Sequence, residues 1–145
     1  MKQLPHTYTV NVNAKPDTLP STLGGALPII DIAPPKEFDG PGDQWSPEEL
    51  LMASLSSCFI LSFKAIARAS KLQWEDLQCE SSGVLEKVER KVVFSQVFTK
   101  ATLLISDKND FEKADKLLRK AEETCFISNS LSSELHFECD IRLEA

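Results

Sequence analysis

No run of lysine and arginine occurs in this chain. Its 16 basic residues are outnumbered by 22 acidic ones, for a net charge of -6, whereas a nucleic-acid-binding face needs clustered positive charge. Nucleic acid is therefore not an expected partner. Histidine is also scarce: His6 and His136 stand far from any pair of cysteines, and there is no Cys-x-x-Cys. Zinc-ligand spacing is missing, so neither a metal nor a cofactor is expected. The four cysteines, Cys58, Cys79, Cys125 and Cys139, are too few and too scattered for a disulfide-stapled secreted scaffold. In a reducing compartment such residues are either buried small hydrophobes or reactive thiols. No basic segment leads into an apolar one at the start, and serines and Lys64 interrupt the longest apolar stretch. The expectation is a soluble cytoplasmic protein with no membrane partner. The stretch Phe38-Asp39-Gly40-Pro41-Gly42-Asp43 has glycine and proline but no lysine, arginine or hydroxyl in phosphate-cradling places, which excludes a P-loop.

What is present centres on Ser46 to Leu72, which reads as one long helix. Ser46 suits the N-cap, Pro47 the first helical position, and Glu49 completes a capping box. Beyond it nearly every position is apolar or small as far as Ala69, a pattern that predicts burial on most faces. Lys64 is the first clear charge inside the helix, so the half around Cys58 should lie deepest. Before the helix, Tyr8 to Val12 alternates as a strand does, and Leu27 to Ile32 fits another short strand. After it, two long antiparallel strands are expected, joined near Glu89-Arg90-Lys91. A second helix should run from an Asp110 N-cap to about Thr124, with Phe111, Ala114, Leu117, Leu118 and Ala121 on one face. A last strand alternates Leu135, Phe137, Cys139, Ile141 and Leu143 with polar residues. At 145 residues this fits a single α+β domain over residues 1–145, with antiparallel sheets packed on a long central helix. Such a sheet cannot cover a helix that is apolar all round. The surplus predicts a partner subunit across a two-fold axis.

The cysteines divide by context. Cys139 lies on the apolar side of an alternating strand and Cys79 has the same look, so both read as structural. Cys125 follows directly on the second helix, where the chain changes direction. Cys58 is flanked by Ser54, Ser56, Ser57 and Ser62. Spacing alone leaves open whether these two are reactive or two more core thiols.

Pro47-Glu48-Glu49-Leu50-Leu51-x-Ala53-x-x-x-x-Cys58-Phe59, together with Cys125-Phe126-Ile127-Ser128-Asn129-Ser130-Leu131, resembles the paired motifs of the OsmC/Ohr family of peroxide-reducing proteins. The likeness covers nearly the whole chain in order and spacing, including the Phe38-Asp39-Gly40-Pro41-Gly42 approach loop. It implies an intertwined homodimer with active sites at the subunit interface, reduction of organic hydroperoxides and regeneration by a dithiol reductant. Carried onto this chain, it makes Cys58 the attacking thiol, Cys125 the resolving one, and Glu48 the supporting carboxylate; helix-dipole preference for a first-turn acid would alone explain Glu48. The family's best-studied peroxidases place an arginine in the N-terminal strand region. Here the first arginine is Arg68, and Lys15 and Lys36 are the cations between residues 3 and 63. A lysine lowers a thiol pKa by its charge but lacks forked donors, so the alternative is a thiol sensor or small-ligand-binding dimer without efficient turnover. Glu48 and Cys58, ten positions apart, would lie roughly 15 Å apart on one straight helix. Either the helix breaks between them or the glutamate serves the opposite subunit.

Overall fold

The structure, a computed structural model, describes residues 3–144 and falls into two compact units, residues 1–50 and 51–145. Its content is mixed α+β, as the sequence predicts. In the first unit regular structure is sparse. Strand β1 (Val12–Asn13) pairs antiparallel with β2 (Ser21–Thr22), and isolated bridges join Ser21 to Asp31 and Ile32 to Trp45. The alternating stretch Tyr8–Val12 predicts a strand that does not form over most of its length. Tyr8 and Val10 remain 85% and 66% exposed, and an alternating pattern makes a strand only where one face has something to bury against. Leu27–Ile32 likewise contributes no more than its last two residues to bridges. Gly40 turns back on Pro34 so closely that a Cβ would run into the Pro34 carbonyl oxygen, which makes glycine obligatory in this approach loop.

Helix α1 (Pro47–Ser70) opens with the expected capping box. The Ser46 hydroxyl accepts the Glu49 backbone N–H at 3.1 Å and donates to the Glu49 carboxylate at 2.8 Å, and Ser46 is fully buried. The helix runs unbroken to Ser70. Within the single chain its burial is confined to one face. Leu55, Phe59, Phe63 and Ala67, spaced four apart, form a single sealed stripe, while Leu61 is 65% exposed. One sheet face can cover one stripe of a helix and no more. By length and composition α1 could also cross a membrane, but its stripe lies in the core beside Ala101, Leu103 and Leu118.

In the second unit β3 (Asp76–Val88) and β4 (Lys91–Ile105) form the predicted long antiparallel pair, running from Asp76 opposite Leu104 to Val88 opposite Lys91 with a register shift between Val84 and Leu85. Glu89 and Arg90 both adopt positive φ, the geometry of a two-residue hairpin whose twist matches its strands. Helix α2 (Phe111–Glu123) buries Ala114, Leu117, Leu118 and Ala121. Asp110 makes no side-chain cap there; it ends the tight turn Lys108–Asp110, whose first N–H groups are served by Asp107 accepting from Asn109 at 2.9 Å. A short helix α3 (Phe126–Asn129) follows, then β5 (Glu134–Leu143). The expectation of purely antiparallel sheets is corrected here: β5 lies parallel to β4, in the order β3-β4-β5. The return through α2 and α3 supplies the long crossover that parallel pairing requires. Along β4 the inward residues Val97, Thr99, Ala101, Leu103 and Ile105 are buried at period two, and Phe137, Cys139 and Ile141 of β5 pack on the same core.

Candidate functional site

Two of the three residues singled out by sequence come together. Cys58 lies midway along α1, half-buried, on the wall of an open cleft of about 480 Å³ shared with Ser54, Ser57, Leu61, Phe126 and Ile127. Cys125 is fully buried at the junction of α2 and α3. Its sulfur caps α3, accepting the Ser128 backbone N–H at 3.5 Å. Cys58 neighbours Cys125 closely enough to act on its thiol. Both are free thiols.

Their environments differ in a way that separates their chemistry. Burial pushes the Cys125 thiol above the ordinary cysteine range, the Ser128 hydroxyl and N–H draw it partly back, and neighbouring Cys58 pushes it further up. Cys125 is therefore held as a neutral thiol at rest. Cys58 is the member of the pair that opens on the cleft, where a small molecule can meet it.

The serines around Cys58 are mostly spent on structure. Ser57 turns its hydroxyl back to the Ala53 carbonyl at 2.6 Å, and Ser56 joins Ser81 at 2.6 Å, pinning α1 to β3. Cys79 sits between Ser56 and Ser81 and packs on the core; burial raises its pKa, and the Glu122 carboxylate adds to that rise. Cys139 donates to Asp115 at 3.5 Å and is likewise raised by burial. Among the described residues no group of three or more His, Cys, Asp or Glu could hold a metal ion.

Glu48 belongs to the first unit. There it lines a separate cavity of about 410 Å³ walled by Pro20, Pro34, Pro35 and Phe38, and one of its carboxyl oxygens is sequestered without a hydrogen-bond partner among the described residues. Since α1 is continuous, a break between Glu48 and Cys58 is ruled out as the way to join them. The Lys36 side chain lies along Gly42 of the approach loop.

Two neighbours of the pair, Glu122 and Ser128, were not legible as site residues from composition. Their spacing of three gives no signal either, because Cys125 between α2 and α3 has extended backbone and helical periodicity does not carry across it. The model of the family described as OsmC-like protein matches residues 40–140, a span that holds both cysteines and Glu48. This chain belongs to the OsmC-like family. A Bacillus subtilis relative, the uncharacterized protein YmaD, is 32% identical over 120 residues, covering 79% of this chain and 80% of that one. An OsmC-like protein of unknown function from Vibrio cholerae has the same fold, with a TM-score of 0.84 at 22% identity over 93% of this chain and 99% of its own. An organic hydroperoxide resistance protein OsmC from Legionella pneumophila superposes with a TM-score of 0.71 at 25% identity, over 95% and 99% of the two chains. In the OsmC-like chain described here, the two motif cysteines lie far apart in sequence, and the fold delivers them to one place by setting the α2–α3 corner against the middle of α1.

Proposed function

We propose that this OsmC-like protein reduces organic hydroperoxides, with Cys58 as the attacking thiol and Cys125 as the resolving one. The observation that carries the reading is the contrast within the pair: a cysteine open to a cleft, backed by a sealed one. The Cys58 thiolate attacks a peroxide oxygen, the O–O bond breaks, and the alcohol leaves with a proton while Cys58 becomes a sulfenic acid. The Cys125 sulfur then displaces the hydroxyl of that acid, which leaves as water, and a disulfide forms. A dithiol reductant returns both thiols. Leu61, Phe126 and Ile127 on the cleft wall suit the hydrocarbon portion of an organic hydroperoxide. Adding cumene hydroperoxide to the reduced protein is expected to yield one disulfide per chain, mapped by mass spectrometry to Cys58 and Cys125. Oxidation confined to Cys79 or Cys139 would sink the reading.

The functional unit in this reading is an intertwined, cytoplasmic homodimer of single-domain subunits, with α1 at its centre. Supporting it, Leu61 and Phe126 beside Cys58 are 65% and 76% exposed. Apolar surface continuous with a reactive site invites a second subunit. Glu48 then serves the partner's cysteine across the two-fold axis. Its unpartnered oxygen is a carboxylate waiting for a donor that its own unit does not provide. Mixed dimers of Glu48→Ala and Cys58→Ser subunits contain one intact pairing, so they should recover about half the activity of the parent dimer; no recovery would place the glutamate's action within one chain.

The lack of any arginine before Arg68 favours a second reading, a thiol sensor or small-ligand-binding dimer. One oxidation per chain, with no recycling by any dithiol, would select it.

A further inference from the structure

The Cys125 corner contains more than a resolving thiol needs for position alone. Ser128 is 3% exposed, and its backbone N–H already holds the Cys125 sulfur. Its hydroxyl neighbours that sulfur and the Glu122 carboxyl closely enough to draw the pKa of each downward. The other carboxyl oxygen of Glu122 is sequestered, with no hydrogen-bond partner among the described residues, and no ion pair there joins it to a lysine, arginine or histidine. A carboxylate oxygen shut away from water without a partner is costly even on a half-buried side chain, and proteins keep one only where something offsets it.

We propose that Glu122, acting through Ser128, receives the proton of Cys125 when that thiol attacks oxidised Cys58, which makes Glu122 a positioning residue of the resolving step. The inference rests on the reading of Cys125 as the resolving thiol. The Cys125 S–H proton passes to the Ser128 oxygen while the Ser128 O–H proton passes to the Glu122 carboxylate. The freed sulfur forms the bond to Cys58, and the group carried by Cys58 leaves with the S–X electron pair. For a sulfenic acid that group departs as water after taking a proton from solvent, and Glu122 later returns its own proton to solvent.

The match of acid and base supports this. Burial raises Glu122 above the ordinary carboxylate range, with Ser128 partly opposing the shift, and so makes it a stronger base than a surface glutamate. The thiol it serves is itself raised by burial, so it cannot ionise readily at neutral pH without an acceptor. The titratable group that feels the Glu122 carboxylate is Cys79 from β3, which in turn neighbours Cys125. Burial keeps Cys79 and Cys125 neutral at pH 7, which leaves the carboxylate as the local base.

A thiol-exchange assay tests this independently of hydroperoxide chemistry. In a full-length Cys79→Ser/Cys139→Ser background, Ellman's reagent converts Cys58 to a mixed disulfide and releases one thionitrobenzoate. Attack by Cys125 releases a second. In Glu122→Gln and Ser128→Ala the ratio of the second rate to the first is expected to fall about tenfold or more at pH 7, on the low side of general-base contributions. The deficit should close at alkaline pH, where Cys125 ionises unaided, and Glu122→Asp should restore part of the neutral-pH rate. An unchanged ratio and pH profile in Glu122→Gln, or no second release from the parent protein, overturns the proposal. Hydroperoxide oxidation of Cys58 with an insensitive ratio refutes the relay and leaves the peroxidase reading standing. A sensitive ratio in a protein inert to hydroperoxides does the reverse.

Discussion

Replacing Cys58 with serine is expected to abolish hydroperoxide consumption in the presence of a dithiol, by roughly a thousandfold or more, the scale on which removal of a covalent nucleophile acts. A serine hydroxyl cannot ionise usefully at neutral pH, and the thiolate is the species that attacks. The remaining thiols do not replace it. Cys125 is fully buried, and Cys79 and Cys139 pack on the core with their thiols raised by burial. Cys125→Ser should behave differently: the first oxidation proceeds, and the sulfenic acid on Cys58 persists long enough for dimedone to trap it. Loss of cumene hydroperoxide, followed beside dimedone adduct mass, separates the two variants. Full turnover by Cys58→Ser would remove the pair from the mechanism.

Much of this site was legible in the sequence because its signals are local. Ser46-Pro47-Glu48-Glu49 announces the start of α1 by the chemistry of helix ends, and the capping hydrogen bonds form as those residue types require. The hairpin at Glu89-Arg90 and the amphipathic face of α2 follow from turn and helix periodicity in the same way. The direction of β5 was not legible. Alternation of Phe137, Cys139 and Ile141 fixes which face is buried, and that face is the same whether the strand runs parallel or antiparallel to β4. At Tyr8–Val12 alternation was present without a surface to pack on, and the strand failed. The likeness to known motifs paired Cys58 with Cys125, whereas no likeness pointed to Glu122. Its place beside Ser128 depends on how the chain turns after α2, a matter of three-dimensional packing rather than residue type.

Phe59→Ala is expected to cause the largest loss of stability, about 3–5 kcal/mol, the cost of truncating a fully buried aromatic when the surroundings close only partly on the cavity. Phe59 has no exposed surface, and its ring centre lies 5.4 Å from that of Phe137 on β5. It lies between Leu55 and Phe63 on the stripe that holds α1 to the core. With total stabilities of 5–15 kcal/mol typical of single domains, such a loss takes a large share, and urea unfolding should show a lower midpoint at an unchanged slope. Phe59 follows Cys58 directly, about 100° further round the helix, so the side chain that anchors the helix also sets the direction in which the cysteine faces the cleft. A loosened anchor should therefore slow disulfide formation as well. Leu61, 65% exposed, provides the contrast. Its truncation should cost no more than about 0.5 kcal/mol in an isolated chain, and a larger loss that grows with protein concentration would mean that a second subunit covers it. A Phe59→Ala loss below about 1 kcal/mol would mean that the core closes over the missing ring, and the direction of Cys58 would then have to be set by the Ser56–Ser81 bond instead.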